Sequence, residues 1–456
     1  MNLRPAQTFK KLKTASLAVI ATLALSTVPA WAGQLSGRVT LDRPVILQGQ
    51  NQVVYVLVNI DAMDEDVPAA NRPPLNISLV LDRSGSMADA GKMDYLKRAA
   101  KMAVDRLNER DTLSIVEYDD AITVMVSPTR VTDSRRYHRL IDELEPRGST
   151  NLAGGLDQGV DEALEARDKL ARESGTINRV ILMSDGLANA GVTDPNQIRA
   201  MVRAAKNKGV RISSMGLGRD YDEDLMQDLA ENGGGRYYYI EHPTQMARVF
   251  EEELATMFRT TARDCEMDFD GSSVVRKAEI VGFDAAPAQD VKQPLEDFYA
   301  GEKRAVLLRL EVAAGQTGNI NLGTLKVNYK GAKDQAAQTF TAPIAVTVTT
   351  DAGAADRAMN KPVAVEAALA ETERAQRAQV KLFEQGRAEE AARNMAAMKK
   401  DLETRNASLN DEKLRRKIEG LSVESRQMTA AAAAPAEQKE AYAKASKNRL
   451  YQAKQG

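Results

Sequence analysis

From Leu75 to about Arg259, short apolar runs alternate with helical stretches. The runs Ile77–Leu81 and Val180–Met183 lack the apolar–polar alternation of a half-exposed strand. They read as strands buried on both faces, the condition of a parallel sheet covered by helices on each side. The pattern predicts helices over about 91–107, 133–144, 151–173, 194–207, 222–231 and 243–259. Further strands are predicted at 113–118, 122–126, 210–217 and 236–240, the first two close enough to form a hairpin. Strands alternating with helices in this way specify an α/β domain over residues 73–260, with a doubly wound, mostly parallel, Rossmann-like sheet.

The flanks have a different period. Residues 34–61 alternate apolar and polar positions, and residues 263–350 return to strand patterns, clearest at 274–281, 304–312, 323–329 and 344–349. The N-terminal strands, within 33–72, are too few to bury a core alone. They are expected to complete an antiparallel β-sandwich with residues 261–350, which makes the α/β domain an insertion. Residues 351–428, rich in Ala, Glu, Arg and Gln, read as a C-terminal α-helical region of two or three helices, with stops at Gly386 and at Asn406–Asn410. Residues 429–456 read as a frayed helix or flexible tail.

The chain starts with Lys10, Lys11 and Lys13, an apolar stretch from about Ala15 to Pro29, and Ala30-Trp31-Ala32 before Gly33. Basic, apolar and small-x-small segments in that order read as a cleavable secretory signal over residues 1–32. Its apolar part is short for a membrane span. The expectation is a periplasmic or secreted protein with no stable span after cleavage. A single cysteine, Cys265, excludes an internal disulfide and a cysteine-rich metal site, and it is expected to be a buried packing residue. Two histidines, His138 and His242, leave no multi-histidine centre. With 62 Lys+Arg against 64 Asp+Glu, the chain lacks the basic excess of a nucleic-acid binder.

Candidate chemistry concentrates where the buried runs end. Asp82-Arg83-Ser84-Gly85-Ser86 follows the first run, and alternate residues of an extended loop point the same way. One carboxylate and two hydroxyls can therefore converge. Ser184-Asp185-Gly186 follows the second run, and Ser149-Thr150-Asn151 precedes the helix at 151. Each has a plain alternative, as a helix cap or a turn. In a doubly wound sheet, however, the carboxyl ends of the strands share one rim, where ligands bind. Hydroxyls and carboxylates are hard oxygen donors suited to a divalent cation, with water completing the shell.

Residues 75–259 resemble a von Willebrand factor type A domain. Asp82, Ser84, Ser86, Thr150 and Asp185 match its metal-ion-dependent adhesion site position for position. Gly148–Leu152, Ile181–Gly186, Gly216–Gly218 and Gly233–Tyr237 are similar as well. The flanks more loosely resemble exported bacterial proteins in which this domain is set within β-structure. The resemblance implies that Ser84, Ser86 and Thr150 bind Mg²⁺ or Mn²⁺ directly, while Asp82 and Asp185 often act through water. Ligand type alone also admits Ca²⁺. It further implies a non-enzymatic adhesion or scaffold protein whose protein partner offers a Glu or Asp carboxylate to the ion.

Two other readings stay open: a metal-assisted hydrolase, and a structural subunit with a vestigial metal site. The first lacks a positioned base or nucleophile. Gly85–Lys92 is misspaced for a phosphate loop, no G-x-G-x-x-G follows the first strand, and Ser84 and Ser86 lie outside any G-x-S-x-G turn. Near the site, Asp119-Asp120 is expected to form a hairpin turn and Arg83 to be a solvated loop side chain. The acidic cluster Asp220–Asp224 is expected to enrich a helix's first turn, and Tyr237–Tyr239 to serve packing.

Overall fold

The computed structural model describes residues 30–32, 34–64, 72–169, 175–218, 221–283, 286–332 and 335–455. The expected signal segment, apart from its last three residues, lies outside them. Four N-terminal strands come first: β1 (Ala30–Ala32), β2 (Leu35–Leu41), β3 (Val45–Leu47) and β4 (Asn51–Ala62). The α/β domain follows with β5 (Leu75–Asp82), α1 (Lys92–Asp105), β6 (Thr112–Tyr118), β7 (Ile122–Arg130), α2 (Ser134–Asp142) and α3 (Leu152–Lys169). It continues with β8 (Ile177–Ser184), α4 (Pro195–Asn207), β9 (Arg211–Leu217), α5 (Glu223–Gly233), β10 (Gly234–Ile240) and α6 (Met246–Phe258). These strands form one sheet in the order β10-β9-β8-β5-β6-β7. It is parallel except for the β6–β7 hairpin.

β5 is buried along its whole length. Leu75, Ile77, Leu79 and Leu81 face a core shared with α1, α2 and α6, while Val80 faces a second core shared with α3, α4 and α5. Two covered faces are why its sequence shows an apolar run rather than an alternation. α3 lies very close to this strand. A Cβ on Gly159 would stand 2.2 Å from Val80 Cγ2, so the approach requires glycine. The start of α3 is thereby held at the carboxyl edge of β5.

The chain then returns to β-structure with β11 (Thr260–Gly271), β12 (Val275–Ile280), β13 (Val291–Tyr299), β14 (Lys303–Ala313), β15 (Gly318–Gly331) and β16 (Ala337–Thr349). Two sheets result, in the orders β1-β2-β4-β14-β12 and β13-β11-β15-β16-β3. β4 pairs antiparallel with β14 from Asn51↔Ala313 to Lys303↔Asp61, and β3 adds in parallel to β16. The N-terminal strands therefore enter both sheets. Ile46, Val54, Val56 and Val58 share one core with Met267, Phe269, Leu308 and Val346. The α/β domain leaves this sandwich after β4 and rejoins it at β11, as an insertion.

Charge joins the two units. Arg211, at the start of β9, pairs with Asp264 of β11 at 2.9 Å, and with Glu296 at 3.0 Å and Asp297 at 2.7 Å on β13. Lys206 also reaches Glu296, at 2.9 Å, and the Arg236 guanidinium lies 4.8 Å from the centre of the Tyr299 ring.

Five helices follow: α7 (Ala352–Arg357), α8 (Lys361–Glu384), α9 (Ala388–Leu409), α10 (Glu412–Ala432) and α11 (Ala436–Gln455). Asn360 and Asp411 cap α8 and α10 through side-chain bonds to Val363 N and Lys413 N. Ala367 of α8 packs on Val281 and Leu307 of the sandwich. Residues 429–455, read from sequence as a frayed helix or flexible tail, hold the end of α10 and all of α11. Lys444 Nζ donates to the Tyr221 carbonyl at 3.0 Å and lies 4.3 Å from that ring's centre, and Lys447 pairs with Asp224 at 2.7 Å. Lys444 and Lys447, two of the lysines that make the segment look solvated, are groups that dock it. Among the described residues no helix is long and apolar enough to cross a membrane.

Candidate metal centre

β5 ends on Asp82, which is fully buried. Its Oδ1 accepts from the Ser84 backbone N–H at 2.8 Å, which turns the loop. Its Oδ2 accepts from the Ser184 hydroxyl at 2.7 Å and the Tyr118 hydroxyl at 3.3 Å. Burial pushes the Asp82 pKa up to about 6, against the pull of hydrogen bonds from Ser84 and Ser184.

Ser84 opens a 3₁₀ turn over Gly85–Gly91 but makes no side-chain cap. Its Oγ lies 3.2 Å from Ser86 Oγ, and Ser86 donates to Asp185 Oδ1 at 2.7 Å. Thr150 is clamped by the loop after β8. It donates its N–H to Asn189 Oδ1 at 2.8 Å, and its carbonyl accepts from Asn189 N at 3.1 Å. The cap of α3 is supplied by Asn151, whose Oδ1 accepts from Gly154 N at 3.0 Å. Capping therefore does not account for Thr150. A Cβ built on Gly186 would stand 3.3 Å from Thr150 Oγ1 and 3.6 Å from Ser86 Oγ. Glycine at 186 therefore keeps any side chain away from the Thr150 and Ser86 hydroxyls.

The five residues picked out by motif thus come together at one rim, beside the junction of β5 and β8. Among the described residues no group of three or more His, Cys, Asp or Glu is gathered to hold a metal. This donor set differs in kind, with three hydroxyls and only two carboxylates. A donor set of hard oxygens suits a hexacoordinate divalent ion that keeps some of its water.

Several neighbours were not legible as site residues. Arg83, expected to be solvated, is buried. It pairs with Glu117 at 2.8 Å and Asp119 at 2.9 Å. The reason is the adjacency of β5 and β6, which sets the end of β6 beside the Asp82 loop. Asp119 accepts from Ala121 N at 2.6 Å, as a turn residue does, and also holds Arg147 at 2.9 Å. Lys92 is the other addition. Its Nζ stands 2.6 Å from Asp185 Oδ2. Its position on the buried stripe of α1, with Leu96, Ala99 and Ala103, is the sequence signal that could have found it. Elsewhere, Asp222 caps α5 through Leu225 N, followed by Glu223 and Asp224 in the first turn. Cys265 is a free, buried thiol, its pKa driven up by burial.

Such a sheet, with oxygen-bearing side chains at the ends of two central strands, defines a doubly wound α/β domain with a polar rim. Residues 76–252 match the family profile of the von Willebrand factor type A domain, and the chain carries a domain of that family. The Escherichia coli protein YfbK, itself uncharacterized, is 29% identical over 227 residues, covering 49% of this chain and 39% of its own length. Human inter-alpha-trypsin inhibitor heavy chain H2 is 27% identical over 192 residues, covering 40% of this chain and 20% of its own length. The chain therefore spans well under two thirds of these relatives. A solved von Willebrand factor type A protein from Catenulispora acidiphila superimposes with a TM-score of 0.67 at 16% identity. It covers 91% of this chain and 96% of its own, so the likeness of fold extends through the sandwich and helices.

Proposed function

We propose that this chain is an exported, non-enzymatic adhesion or scaffold protein that grips an acidic residue of a protein partner through a divalent cation at this rim. The observation that carries the reading is the convergence of Ser84, Ser86 and Thr150 with buried Asp82 and Asp185 at one rim. Domains of this type are mostly interaction modules and commonly bind a divalent metal. Ser84, Ser86 and Thr150 would hold Mg²⁺ or Mn²⁺ (Ca²⁺ suits the same donors), with Asp82 and Asp185 balancing its charge. The bound ion supplies a Lewis-acidic position that a carboxylate can fill. Arg83 is engaged with Glu117 and Asp119 in ion pairs that brace the loops. Export rests on the basic, apolar and small-residue pattern of residues 1–32.

The test is calorimetric titration of the full chain with Mg²⁺ and Mn²⁺ beside Asp82→Ala, with acetate as a carboxylate probe. The wild type should bind, the variant should not, and acetate should tighten binding. Equal behaviour of the two proteins would sink the reading.

A further inference from the structure

Lys92 is the first residue of α1, its side chain is only 11% exposed, and its ammonium sits 2.6 Å from Asp185 Oδ2. The other oxygen, Oδ1, receives the Ser86 hydroxyl at 2.7 Å. Asp185 is fully buried, so one face of its carboxylate meets the hydroxyl cluster and the other meets a fixed cation. A buried ammonium is stable only when paired, and a buried carboxylate likewise. Each here satisfies the other. A divalent ion arriving at the hydroxyls would find Asp185 already neutralised.

We propose that Lys92 is a resident counter-cation of this site. It keeps the donor set assembled without metal and competes with the divalent ion for Asp185, which weakens intrinsic metal affinity. The inference rests on the metal reading given above. It also deepens the partner's chemistry. Two ionised carboxylates balance a divalent ion, and the ammonium then leaves the occupied site with excess positive charge. An anionic partner group relieves that excess, so metal and partner should bind cooperatively.

The experiment compares Mn²⁺ affinity of wild type, Lys92→Met, Lys92→Gln and Lys92→Arg by calorimetry, with melting of the metal-free proteins. Both neutral variants should bind Mn²⁺ about ten-fold or more tightly than wild type, because a like charge beside the ion has been removed. Lys92→Arg should stay close to wild type. Metal-free Lys92→Met should melt lower than wild type and gain more on Mn²⁺ addition. If Lys92→Met fails to fold, Lys92→Gln still offers Asp185 a hydrogen bond without the charge and carries the comparison. Tighter binding by the neutral variants supports the proposal even if wild-type binding is too weak to measure. Unchanged or weaker binding by both neutral variants, with wild type binding and Asp82→Ala silent, overturns it and leaves the metal reading standing. Absence of Mn²⁺ binding in wild type and both neutral variants overturns the metal reading itself, and the competition with it.

Discussion

Replacing Arg211 with methionine tests whether charge holds the α/β domain to the sandwich. The Arg211 side chain is 7% exposed, and its three acidic partners differ in what they would lose. Asp264 is 51% exposed and Glu296 33%, so both can return to water. Each such contact is worth at most about 1 kcal/mol. Asp297 is 2% exposed and cannot. Without Arg211 it becomes a buried carboxylate held by the Asp264 N–H at 3.0 Å. Removing one partner of a buried pair costs about 3–5 kcal/mol, and methionine fills much of the vacated volume. At about 2–4 °C per kcal/mol, melting should fall by roughly 6–20 °C. Adding Asp297→Asn removes the stranded charge but keeps an acceptor for Asp264 N, so the double variant should recover about half of the loss. Scanning calorimetry on the wild type, both single variants and the double variant closes the cycle. Arg211 opens the seven-residue β9, whose far end at the rim lies about 20 Å away, so Mn²⁺ affinity of the folded variant should match wild type. An Arg211→Met protein within about 1 kcal/mol of wild type, or a double variant no more stable than the single, would refute the reasoning.

Two further outcomes follow from single side chains. Gly186→Val places methyl groups against the site hydroxyls, where a Cβ alone would stand 3.3 Å from Thr150 Oγ1. Gly186 has no positive φ, so the backbone admits the change. Stability should fall by about 1–3 kcal/mol from overpacking while Mn²⁺ affinity drops about ten-fold or more, and retained affinity would mean the ion does not sit beside Gly186. Burial pushes the Asp42 pKa from 3.8 up to about 6, over the pull of the Tyr55 N–H and Arg43. A carboxyl raised in the folded state contributes stability in full below its unfolded pKa and loses it as pH rises through the folded value. Asp42→Asn cannot ionise, so it should melt above wild type at pH 7, with the gap closing as pH falls from about 6 to 4. A gap that does not change with pH would contradict this.

The α/β domain was readable because its central strands β5, β6, β8 and β9 are buried on both faces and its helices on one, so each carries a distinct period. β11 was not picked out, although Cys265, Met267 and Phe269 alternate cleanly with Glu266, Asp268 and Asp270. Its first half hides the pattern. The register shifts between Ala262 and Glu266, and Asp264 adopts a φ of +52° there. β13 was passed over for another reason. It is an edge strand containing Pro294, a residue an edge tolerates and a central strand does not. The fate of α11 depended on distant acids, Asp224 and Glu384, which local composition cannot reveal.

The five candidate ligands were legible because chain-local geometry brings most of them together. Asp82, Ser84 and Ser86 share one loop, and Asp185 and Thr150 flank elements whose ends must meet at the rim. Arg83 and Lys92 were not, because their partners are set by strand adjacency and by the seating of α1 on the sheet. The two additions are not equivalent. Arg83 braces loops against Glu117 and Asp119, both outside the donor set, so its charge is spent within the scaffold. Lys92 addresses Asp185, inside the set. A site meant to hold a divalent ion and then attract a carboxylate faces conflicting demands. Acids that bind the ion strongly also repel the partner. Hydroxyl donors soften that conflict by adding ligands without charge. On the proposed reading, an ammonium fixed to one of the two carboxylates softens it further, trading intrinsic metal affinity for attraction to an acidic partner.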